Sequence, residues 1–165
     1  MRRTILFAAA GLAVAVSTLL AGSGRPDAQF HLRVTYISAV PGDVMTYTAT
    51  PGMVVVTYDD SGGKRRELLR SKMTRKQARR LHARMKSLPL DSLRPESGRD
   101  DVDDGFEIHF RIQIDNRPEK RITMHNAWQP DLRRLCIELN LLLPEALRIN
   151  VPLEVGAFQF LLITE

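Results

Sequence analysis

"FEIHFRIQI", residues 106–114, alternates without a break: Phe106, Ile108, Phe110, Ile112 and Ile114 to one side, Glu107, His109, Arg111 and Gln113 to the other. Successive side chains of a strand point to opposite faces, so this stretch reads as a strand with one dry and one wet face. Asp115 to Pro118 supply turn residues, and EKRITMH (119–125) returns with Ile122 and Met124 inward. An antiparallel pair with a single apolar face needs a helix or a second sheet over it.

Helices on either side of the hairpin are the expected cover. Upstream, Thr74-Arg75-Lys76-Gln77 fits the capping-box pattern, and Ala78, Leu81, Met85 and Leu88 then form one apolar stripe before Pro89 stops the helix. Downstream, Pro130 and Asp131 suit a first turn. Leu132, Leu135, Cys136, Leu139 and Leu142 follow as its stripe, which Ile137, Leu141 and Leu143 widen enough to predict burial on two sides. Earlier in the chain, residues 31–38, 44–50, 53–59 and 64–70 have strand composition and are separated by Pro41-Gly42-Asp43, Pro51-Gly52 and Asp60 to Gly63. They predict an antiparallel meander.

The fold class that follows is α+β: a mainly antiparallel sheet of five to six strands with two helices on one face, in two layers. Residues 89–105 show no period and read as a long surface loop. Apolar fragments at 149–153 and 157–163 read as an edge strand or a packed tail.

The 165 residues are 44% hydrophobic and 26% charged, which suits one packed domain and not a disordered chain. Arg2 and Arg3, an apolar run from Ile5 to Gly22 and small residues after it make residues 1–23 a secretory signal peptide, with residues 24–30 a tether and 31–165 the domain. The expected location is therefore periplasmic or extracellular, anchored only if the apolar segment is retained. Leu20-Ala21-Gly22-Ser23 resembles a bacterial lipoprotein signal but has serine where the lipidated cysteine belongs, so lipidation is not expected. Cys136 is the sole cysteine, which rules out an internal disulfide and reads as a buried small hydrophobe.

Two charged stretches are the visible surface features. Between Lys64 and Lys86 there are eleven lysines and arginines against Glu67 alone. On the helix Arg75, Lys76, Arg79, Arg80, Arg84 and Lys86 lie away from the apolar stripe and are the candidate contacts to an anionic partner, such as an anionic lipid, an envelope polymer or an exported protein. Nucleic acid is not expected, because the basic face has no aromatic for base stacking and no nucleic-acid-binding motif occurs. The second stretch holds Asp100, Asp101, Asp103 and Asp104. Aligned as an EF-hand on Gly105 it puts Val102 and Arg111 where ligands are required, so it reads as a solvated acidic turn, with calcium the ion a looser site there would take.

His109 and His125 lie on the wet faces of the hairpin strands. With a reversal of three residues they stand opposite each other, which is the arrangement a zinc site would use, with Glu107 or Thr123 as a third ligand. Trp128, beside Asn126 and Gln129, reads as a staple at the core edge. No nucleophile elbow, metal-binding helix, paired cysteines or phosphate-cradling glycine loop is present. The functional expectation is a non-catalytic exported binding or inhibitory domain without a cofactor. The alternatives are an envelope-anchored structural protein and a small metal-dependent hydrolase built on His109 and His125.

Overall fold

In the computed structural model the described residues are 28–37, 43–98 and 106–151. The alternation at 107–114 does what its parity demands: Ile108, Phe110, Ile112 and Ile114 are buried while Arg111 and Gln113 are exposed. This strand is β6 (Glu107–Ile114), and it pairs antiparallel with β7 (Lys120–His125) and with β1 (Phe30–Ile37). β1 runs on through β2 (Val44–Thr50), β3 (Met53–Asp59) and β4 (Arg65–Lys72) as the antiparallel meander. Strand β5 (Glu96–Gly98) adds in parallel to the far side of β7, giving the order β4-β3-β2-β1-β6-β7-β5.

The class is α+β as read, but the sheet is mixed and has seven strands. The seventh lies inside the stretch read as a surface loop, where Leu90 and Leu93 are also buried. Three residues are too few to show an alternation, so β5 is defined by its neighbour. The Thr123 amide donates to the Pro95 carbonyl at 2.8 Å, and Gln129 Nε2 donates to Ser97 Oγ at 2.9 Å. Ala28 and Phe30, read as the end of a tether, are core residues because the inward parity of Leu32 and Val34 extends back to Phe30.

Both helices cover one face of the sheet. Helix α1 (Arg75–Lys86) begins with the capping box in place: Gln77 N–H donates to Thr74 Oγ1 at 3.3 Å and Thr74 N–H to Gln77 Oε1 at 2.9 Å. Its Leu81 and Met85 join Leu132, Leu135, Cys136 and Leu139 of α2 (Pro130–Asn140) in one core with Leu32, Val34, Tyr47, Phe110 and Ile122. The broad apolar face expected of α2 is not buried on both sides. Ile137 is 38% exposed and Leu141 55%, because α2 forms part of the outer layer and only its inner stripe meets the sheet. Among the described residues no helix is long and apolar enough to cross a membrane.

Candidate functional site

The opposite face of the sheet has no described element over it, and its side chains are read off the ladder. Arg33 on β1 stands directly opposite Arg111 on β6, and Arg111 directly opposite Arg121 on β7. One row of the open face therefore carries three arginines on three adjacent strands. The neighbouring row is Thr35, His109 and Thr123. Together these six side chains line a shallow groove of about 360 Å³, floored by β6 and β7 at Phe110 and Ile122.

Strands lie about 4.8 Å apart, and like charges placed directly opposite one another destabilise a sheet. Arg121 is relieved by Glu119, whose Oε1 accepts from its Nε at 2.7 Å; Arg121, with help from Arg111, holds that carboxyl below its usual range. No carboxylate among the described residues forms an ion pair with Arg33 or Arg111. Asp59 interacts with Arg33 only at long range and is itself held by Arg65 through two bonds of 2.7 and 2.9 Å, which chiefly keep its carboxyl below the usual range.

At the end of this face the histidines meet carboxylates. They do not stand opposite each other: His109 faces Thr123, and His125 faces Glu107. The turn between the strands closes one residue earlier than that juxtaposition needs, with Asp115 at φ 53° and Arg117 N–H donating to the Ile114 carbonyl at 3.0 Å. His109 Nε2 lies 3.0 Å from Glu107 Oε1 and its Nδ1 3.1 Å from Thr123 Oγ1. His125 Nδ1 is 3.9 Å from the same Glu107 oxygen, and its Nε2 is 3.5 Å from Glu96 Oε1 on β5. Among the described residues no group of three or more histidine, cysteine, aspartate or glutamate side chains is arranged to hold a metal ion. Asp100, Asp101, Asp103 and Asp104 lie outside the described residues, as does the signal segment.

The basic helix is partly engaged in holding the fold together. Arg80 makes a two-pronged contact with Glu138 of α2, at 2.6 and 3.0 Å. Lys86 Nζ lies 3.6 Å from Asp115 Oδ2, and His82 Nε2 lies 2.9 Å from Asp115 Oδ1; these neighbours, His82 first, hold that carboxyl below its usual range. Arg84 is only half exposed, donating from Nη1 to Ser87 Oγ at 3.4 Å while its Nε and Nη2 are buried. Arg75, Lys76 and Arg79 stand exposed on the outer side. Trp128 packs on Phe106 at 5.7 Å between ring centroids, and Phe106 stacks on Tyr36 at 6.1 Å, so the tryptophan caps the edge of the core. Cys136 is fully buried, which pushes its thiol well above the usual range.

The arginine row was not legible as a unit in the sequence. Parity assigns each arginine to a wet face, but Arg33 is 78 residues from Arg111 along the chain, and only the β1–β6 register aligns them. The chain matches no known family model, and no curated protein matches its sequence.

Proposed function

We propose that the chain is an exported, non-catalytic binding domain that takes an anionic partner on the open face of its sheet. The observation that carries this reading is the row Arg33, Arg111, Arg121 on a face that no described element covers. Like charges set directly opposite one another in a sheet repel, and an anion seated on the row would offset that repulsion.

The other surfaces suit binding less well. Strand β4 is an edge, but Arg65, Arg66, Glu67, Arg70 and Lys72 charge it, and the register shifts beside Val56 and Thr57; charges and bulges of this kind keep edges from pairing with a further strand. At the other edge the described part of β5 is three residues long. On α1 the Arg80 charge is matched by Glu138, and Lys86 lies near Asp115.

The test is binding of the full-length protein to two anionic polymers, poly-L-glutamate and polyphosphate. The double variant R33E/R111E is expected to weaken binding by roughly tenfold or more, with a flatter salt dependence. The helix variant R75E/K76E is expected to change it by less than about threefold, as rim charges do. The R33Q/R111Q pair separates loss of charge from repulsion. Binding that survives the sheet variants and collapses in the helix variant would overturn the proposal.

A further inference from the structure

We infer that the arginine row is a site for a phosphate monoester carried on a small organic body. This rests on the open face being the binding surface, and it specifies the ligand. With Arg121 matched by Glu119, two guanidiniums, Arg33 and Arg111, remain uncompensated at ion-pair distance among the described residues. A phosphate monoester carries about −1.5 to −2 charges at neutral pH, which matches that pair. A phosphodiester or a carboxylate brings a single charge and leaves one arginine uncompensated.

Geometry points the same way. Side chains directly opposite on neighbouring strands are about 5 Å apart at their bases, so two guanidinium forks can converge on one tetrahedral anion. Guanidinium is planar and presents paired donors that match two phosphate oxygens at once. Arg121 stands next in the row to contact a third oxygen from the side. Beside the row, the Thr35 hydroxyl, 3.5 Å from Thr46 Oγ1, offers a further donor, while the Thr123 hydroxyl is engaged by His109 Nδ1, so that His109 is held in place between Glu107 and Thr123. A groove of about 360 Å³ is far larger than a phosphate group alone, so the remaining space over Thr35, His109 and Thr123 accommodates the organic portion.

The experiment is calorimetric titration of the full-length protein with phenyl phosphate, inorganic phosphate, methyl phenyl phosphate and acetate. Phenyl phosphate is expected to bind with saturation at one per chain and roughly tenfold or more tighter than the diester or acetate. It should also bind tighter than inorganic phosphate, because the ring fills the groove. R33Q and R111Q should each weaken it by about tenfold, and R75Q/K76Q should leave it unchanged. A far-ultraviolet circular dichroism spectrum equal to the parent's and thermal midpoints no lower than the parent's show that the variants fold, since relief of like-charge repulsion holds or raises the midpoint. If the diester or acetate binds as tightly as the monoester and still depends on Arg33 and Arg111, the phosphate assignment fails and the binding face stands. If inorganic phosphate equals phenyl phosphate, the organic body is overturned. If no anion, small or polymeric, depends on the two arginines, both readings fall together.

Discussion

Phe110→Ala is expected to lower the unfolding free energy by about 3–5 kcal/mol, the range for emptying a fully buried aromatic site. Phe110 is 1% exposed on β6, a strand paired on both sides, and its ring lies in the core shared by the sheet and both helices. Its removal costs the transfer of the ring to water and leaves a cavity that paired strands cannot collapse to fill. For a domain whose whole stability falls in the usual 5–15 kcal/mol, that is a large share. Urea unfolding checks it: the midpoint should fall while the slope stays constant, because the same surface is exposed on unfolding. A loss under about 1 kcal/mol would mean that sheet and helices do not share one core.

Gly98→Ala is the second large effect, and its sign is unusual. An alanine at a compatible glycine position commonly stabilises by about 0.4–1 kcal/mol by restricting the unfolded chain. At Gly98 the added Cβ would fall 2.6 Å from His125 Cβ and 2.6 Å from the His125 carbonyl oxygen. These atoms belong to the neighbouring strand and cannot rotate away, so β5 must move off β7. The expected cost is about 1–3 kcal/mol, as for other overpacked sites. Hydrogen exchange gives a local readout: the Thr123 amide, which donates to Pro95, should exchange faster, while the Leu32 and Val34 amides at the centre of the sheet remain protected. Unchanged exchange at Thr123 would contradict the parallel pairing of β5.

How far the sequence was legible follows from the range of each signal. The strict alternation of β6, the capping box of α1 and the turns at Pro51-Gly52 and Asp60 to Gly63 are local, and each is found where its residues imply. The α2 stripe was local too, but periodicity reports which residues are apolar and not how many layers cover them, so Ile137 and Leu141 were misplaced. Strand β5 carries too few residues to declare itself; its order comes from β7. The histidine pairing depended on where a turn closes, and a shift of one residue there moves every partner. The arginine row is the extreme case. It is a property of register between strands far apart in the chain, and the dense run of basic residues on α1 is the louder signal in sequence, although Arg80 is paired with Glu138 at the surface and Arg84 is half-buried.

On the proposed reading the sheet face, and not the helix, receives the anion. Amide chemical shifts of the isotope-labelled full-length protein, followed through a titration with polyphosphate, test it most directly. The shifting amides are expected to cluster on β1, β6 and β7 around Arg33, Arg111 and Arg121, with those of α1 from Arg75 to Arg80 nearly still. Shifts concentrated on α1, with β1 and β6 unmoved, would contradict it.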